Sequence, residues 1–265
     1  MAEDTVRLGG MALQNGVLVH GPHSWACAIR NADGELEVAS EYKRFRAARV
    51  QNPLLRGPAR IAEVFSLLPQ VHRRLPEARL PFQRPQVLAA MAGTALVVRA
   101  IKESNRLTPL ARELVGGILS LAPAALAVRS SDLAAYHGAE HISIGSYEHG
   151  EPRAREHERC GSHLLGPLVA SSAIGATLAS RAPAHLRAPA RLAAQIGALA
   201  VATETFGWMT RHPDKPLSRA LAWPGHELQH RLATAEPTPQ QLEVAEAALA
   251  ACLKLEREAD GANKH

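Results

Sequence analysis

Aromatic residues are scarce in this 265-residue chain, at 4% of the total, and lysine is scarcer still, five residues against 25 arginines. Three cysteines, Cys27, Cys160 and Cys252, are too few and too scattered for a disulfide framework, which points to a reducing compartment. The 19 Gly and 18 Pro follow no three-residue period, so collagen-like and Pro-rich linker classes are excluded. The residues Met1-Ala2-Glu3-Asp4-Thr5 begin acidic and lack an apolar run, so no secretory signal is expected there. The preference for Arg over Lys, beside heavy use of Ala, reads as high-GC bacterial coding bias, and no nucleic-acid partner is expected.

What is present is a 46% apolar composition, enough for one large domain or two small ones, and a net charge of +5 that is unevenly spread. Residues 1–85 carry 12 basic and 8 acidic groups. Residues 129–163 carry 4 basic and 6 acidic groups and five of the 13 His. A His-rich acidic stretch inside a basic protein tracks phosphate poorly but suits a divalent cation; a solvated polar loop is the competing reading.

Short apolar runs broken by turn residues predict an antiparallel β region over 1–50: Ala12-Leu13, Val17-Leu18-Val19 and Trp25 to Ile29, then an Asp33-Gly34 hairpin returning as Leu36-Glu37-Val38. From Pro53 the period becomes helical, and residues 51–86 read as a helix and a Pro-rich basic connector. Four Ala- and Gly-rich segments follow, 87–98, 114–128, 164–180 and 192–210. All fall short of the roughly 20 predominantly apolar residues of a bilayer span, so hydropathy alone favours buried helices of a bundle over 87–210. Connectors 99–113 and 181–191 carry four and three basic residues, and four spans would show no positive-inside asymmetry. Thr238, Pro239 and Gln241 spell a capping box that opens a docking helix within 211–257, with 258–265 as a frayed tail.

The chemistry concentrates in Tyr136-His137-Gly138-Ala139-Glu140-His141. On a helix, His137 and His141 stand one turn apart and can converge on one cation, with Glu140 beside them as a general base. This His-x-x-Glu-His order is the reversed zincin motif. Glu148, His149, His157 and Cys160 follow within twenty residues, and Glu204 sits alone in an apolar run. Zinc suits such mixed N, O and S donors better than magnesium or calcium. Glu204 or Glu148 serves as third ligand on this reading, with His149, His157 and Cys160 as supporting groups or a second metal site. For Glu204 an ion pair with a nearby Arg competes equally. Gly9-Gly10 lacks the setting of a phosphate loop and reads as turn chemistry, Ser130-Ser131-Asp132 as a helix cap, and Lys43-Arg44-Phe45-Arg46 as a solvated loop rather than a lipid or nucleic-acid contact.

The string Tyr136 to His141, with Tyr147-Glu148-His149-Gly150, His157-x-x-Cys160-Gly161, Gly9-Gly10 through Gly21-Pro22 and Gln241 to Leu249, resembles the YqhQ-like family of predicted metal-dependent bacterial membrane proteins, which has no assigned reaction. The resemblance covers nearly the whole chain. It implies apolar helices embedded in or lying against the cytoplasmic membrane and a His-rich 129–163 loop facing the cytoplasm. The chain departs from the family at Met11, Asn15 and His20, where Gln, Glu and Arg are usual, which bears on activity if the opening segment handles substrate. The fold expected is α+β, with a small antiparallel sheet, a helical bundle and a docked C-terminal helix. The function expected is metal-dependent hydrolysis at the membrane, with lipid as a partner; a non-catalytic membrane scaffold holding a structural metal is the alternative. Substrate and oligomeric state have no signature in the sequence.

Overall fold

Strands β1 (Gly9–Leu13), β2 (Gly16–His20), β3 (Ser24–Arg30) and β4 (Leu36–Tyr42) pair in sequence order as one antiparallel sheet. The computed structural model describes residues 5–104, 106–129 and 132–262. The Asp33-Gly34 turn forms as expected, with Gly34 at φ +84°, a conformation that needs no Cβ, and Asn31 Oδ1 accepting from Asp33 N and Glu35 N. The strands read as continuous apolar runs because both faces of the sheet are covered. Val17, Val19, Ala26 and Ala28 meet one layer, and Leu18, Trp25, Cys27 and Ile29 meet the other, where Leu67, Val71 and Leu75 close over them.

That second layer comes from Leu67 and α2 (Leu68–Arg74), which follow α1 (Pro53–Phe65), a helix capped by Asn52, whose side chain accepts from Leu54 N at 2.9 Å. The first comes from α6 (Leu133–His149) and α10 (Pro239–Ala262). The capping box is present: Thr238 N donates to Gln241 Oε1 at 2.9 Å and Gln241 N donates to Thr238 Oγ1 at 3.3 Å. Ala245 and Cys252 of this helix are fully buried. The helix runs on to Ala262, so 258–262 is not frayed; Tyr42 donates its hydroxyl to Glu258 at 2.7 Å there. Residues 263–265 lie outside those described, as do Ser130 and Ser131; Asp132 precedes α6 without a side-chain capping bond.

The apolar segments form α3 (Pro85–Glu103), α4 (Pro109–Leu119), α5 (Ala122–Arg129), α7 (Leu165–Ser180) and α8 (Arg187–Arg211), with α9 (Pro216–Leu228) following. They are helical as expected, but they are not buried. Small residues face inward: Ser171, Ala173, Ala198, Ala200 and Ala202 are buried, and Ser171 Oγ donates to Ala198 O at 2.9 Å across the α7–α8 pair. Large ones face outward, with Leu96 68%, Ile118 64%, Ile174 63% and Leu192 60% exposed. Two stretches, Leu110–Arg129 and Gly161–Ser180, are long and apolar enough to cross a bilayer by length and composition. The expectation of buried bundle helices failed because hydropathy averages a helix, whereas the direction of each side chain decides what is covered.

One buried carboxylate ties α10 to the sheet. Glu256, 1% exposed, accepts from Ser24 Oγ at 2.6 Å and from His23 N at 2.9 Å, and lies 3.1 Å from His23 Nδ1. Glu256→Ala would strand those donors, and unmet buried donors cost about 1–3 kcal/mol. The denaturant midpoint followed by Trp25 fluorescence is expected to fall accordingly; an unchanged midpoint would show that the clamp contributes nothing.

Candidate metal centre

Helix α6 presents His137, Glu140, His141 and Ile144 along one face, and that face looks into a cleft of about 700 Å³ closed by β1 and the second half of α1. The part expected as a His-rich loop over 129–163 is therefore mostly helix, with a true loop, among the described residues, only between Gly150 and Cys160. Gly150, at φ +69°, ends α6 in the left-handed conformation that glycine tolerates best and turns the chain back along the helix.

This return brings two backbone carbonyls to the histidines. His141 donates Nδ1–H to Arg155 O at 2.7 Å, and His137 donates Nδ1–H to Ala233 O at 2.8 Å. Ala233 ends a π-helical turn, Gln229–Ala233, that reaches α6 because residue 138 is glycine; a Cβ there would collide with Ala235 O. With both Nδ1 atoms engaged, each ring keeps its Nε2 lone pair for a cation. Cys160 Sγ lies 3.5 Å from His137 Nε2, and ligand atoms of His137, His141 and Cys160 all fall within 4.8 Å of one another. Burial holds the His141 imidazole below its ordinary pKa, which favours the neutral, ligating form.

Of the residues singled out in the sequence, the structure brings these three together. Glu204 is elsewhere: on α8 it forms a two-pronged ion pair with Arg56 of α1, so the ion-pair reading holds and it is no third ligand. Burial alone would raise the Glu148 carboxyl, but His157, 3.2 Å away, and the Arg159 guanidinium hold it below the usual range and away from the cluster. His149 turns back to Gly145 O of its own helix at 2.9 Å. His157 stands beside the cluster, its ring 5.5 Å from that of His141, with its Nε2 committed to Glu148.

Glu140 is 7% exposed and its carboxylate hydrogen-bonds to no described residue. Burial pushes its carboxyl above the ordinary carboxylate range, against the pull of His137 and His157. It rests on β1 at Gly10, where any Cβ would strike the carboxylate. Gly9-Gly10 is therefore the start of a strand, with Gly9 leaving room for His20 and Gly10 for Glu140, not a turn. Among the departures from the family pattern, Met11 and His20 line the cleft. Asn15 does not; it donates to Arg30 O and Glu77 O and accepts from Arg79 N.

Sequence reasoning missed Gln229. Fully buried, it accepts from His157 N at 2.9 Å and donates to Ser162 Oγ at 2.7 Å, clasping both ends of the segment that carries Cys160. A lone Gln 69 residues beyond Cys160 carries no signal of that role.

The donor chemistry would suit a zinc-type ion: two imidazoles with fixed tautomers and one thiol, three candidate donors beside an open cleft. Residues 91–255 match the family described as a protein of unknown function, DUF1385. The uncharacterized protein YqhQ of Bacillus subtilis (strain 168) is 26% identical over 301 positions, which cover 94% of this chain and 92% of that relative. No solved structure matches the chain.

The thiols distinguish the site experimentally. Burial pushes Cys252 up to about 11 and Cys27 further still, whereas Cys160 is half-buried at the cleft. Iodoacetamide at pH 8 is expected to modify Cys160 alone in the folded protein, and Zn²⁺ to slow that reaction at least tenfold. Equal labelling of the three thiols, or a rate indifferent to Zn²⁺, would contradict the arrangement.

Proposed function

This chain belongs to the DUF1385 family, and from that premise we propose that it is a metal-dependent hydrolase at the bacterial cytoplasmic membrane. Its zinc-type ion is held by His137, His141 and Cys160, and Glu140 is its general base. The observation that carries the reading is the pairing of a three-donor cluster with a buried carboxylate that makes no hydrogen bond to any described residue, both facing one cleft. Structural zinc is closed by four protein ligands, while catalytic zinc keeps a place for solvent or substrate; three described donors favour the second over the scaffold alternative.

When bound, such an ion supplies Lewis-acid polarisation of water or of a carbonyl or phosphoryl oxygen. The chain's own part is geometric and protonic. Ala233 O and Arg155 O hold the two rings in place, Gly10 leaves room for Glu140, and Glu140 takes the proton of the attacking water and returns it to the departing oxygen or nitrogen. Water adds across the cleaved bond, so no other co-reactant is consumed.

Elemental analysis is expected to find about one zinc per chain, retained in Glu140→Gln and reduced at least tenfold in His137→Ala and Cys160→Ser. In the Co²⁺ form, a thiolate charge-transfer band should vanish with Cys160→Ser, and visible bands should shift with pH, the mark of a solvent-filled fourth position. Equal metal in wild type and His137→Ala would sink the metal site; bands indifferent to pH would sink the enzyme and leave the scaffold.

The membrane part of the proposal draws on the inside-out character of α3, α4, α7 and α8. Contiguous exposed apolar surface of this kind marks a membrane or partner contact in a folded protein, and small-residue helix packing such as that of α7 on α8 is the usual solution in lipid. Alkaline carbonate extraction is expected to leave the protein in the membrane pellet; complete release would contradict integral helices.

A further inference from the structure

The cleft in front of Glu140 is more than a site for water. Its volume, about 700 Å³, lies within the range of about 300–1,000 Å³ usual for small-molecule sites. Most of its wall is apolar: Met11 from β1, Ile61, Val64 and Phe65 from α1, Leu133 from α6 and Leu228 from α9. Glu140 is the one carboxylate in the lining.

The side chain of Arg60, on the α1 wall, makes no hydrogen bond or ion pair with a described residue. The carboxylate whose charge it feels, Glu204, is already clamped by Arg56 and is also influenced by Arg211. With Glu204 held by Arg56 and Glu63 held by the backbone N–H groups of Arg46 and Ala47, the Arg60 guanidinium has no carboxylate partner among the described residues, a setting that suits an anion. The opposite margin of the cleft, Cys160 to Leu164, continues directly into α7, whose Ile174 and Leu178 are exposed along the apolar flank of the protein. The ligand this wall selects has a greasy body and one negative charge.

We propose that the cleft takes a single-chain anionic lipid. Its tail lies along Met11, Ile61, Phe65 and Leu228, its anionic group meets Arg60, and its headgroup linkage lies beside Glu140. The inference rests on the hydrolase reading for what is cleaved and on the cleft wall alone for what is bound, so the two can fail separately.

The test uses dodecyl phosphate bearing a diazirine on its chain, photolysed with full-length protein in phosphatidylcholine membranes, with labelled residues mapped by mass spectrometry. Labelling is expected at Met11, Phe65 and Leu228. Unlabelled dodecyl phosphate should suppress it at least fivefold, whereas inorganic phosphate or dodecyl maltoside at the same concentration should not. Arg60→Gln, at an exposed position, should cut cleft labelling at least fivefold without altering the background on α4 and α7; Phe65→Gln, also exposed, checks the apolar wall independently. Labels confined to α4 and α7, or cleft labelling that Arg60→Gln leaves unchanged, would overturn the proposal. Cys160→Ser should still be labelled in the cleft, so loss of metal with retained labelling would dismiss the hydrolase and keep the lipid site, and zinc binding without cleft labelling would do the reverse.

Discussion

Two backbone carbonyls, Ala233 O and Arg155 O, decide what the central histidines can do. A free imidazole on a helix rotates and exchanges tautomers; one that donates Nδ1–H to a fixed carbonyl has a single orientation and an available Nε2. Everything that positions those carbonyls therefore serves the site. Gly138 lets the π-helical turn press against α6, Gly150 folds the following loop back along it, and Gln229 holds that loop at His157 N and Ser162 Oγ. Cys160 then arrives beside His137 as a consequence of where the loop is held.

The sheet gives α6 its rigidity. It is covered on both faces, and β1 runs under α6 so closely that Gly10 is the floor beneath Glu140. The C-terminal helix is fastened to the same sheet through Glu256. Away from this layered half, the packing rule is reversed, with alanine and serine inside and leucine and isoleucine outside. The proposed site stands where the two halves meet, with Cys160 to Leu164 leading from the α6 cleft into α7. A cluster of imidazoles, a thiol and a buried carboxylate next to apolar flanks suits molecules that are themselves part oil and part charge.

Much of this was legible in the sequence. The four strands, the Asp33-Gly34 turn, the Thr238 capping box and the placing of His137 and His141 on one helical face all follow from local rules: side-chain period, turn propensity and cap chemistry. What escaped was long-range. Cys160 as partner of His137 depends on a loop path that no local pattern encodes, and the choice between ligand and ion pair for Glu204 stayed open because its partner Arg56 lies 148 residues away in the chain. Gly10 looked like part of a turn because the need for a missing Cβ there arises from the Glu140 carboxylate, 130 residues on. The outward direction of the large side chains on α3, α4, α7 and α8 was invisible to averaged hydropathy.

X-ray absorption at the zinc edge of the metal-loaded protein tests the central claim most directly. The account predicts a shell of one sulfur at about 2.3 Å with two imidazole nitrogens and one further light atom at about 2.0 Å, the sulfur lost in Cys160→Ser. A shell with no sulfur, or one closed by four protein nitrogens and sulfurs, would contradict it.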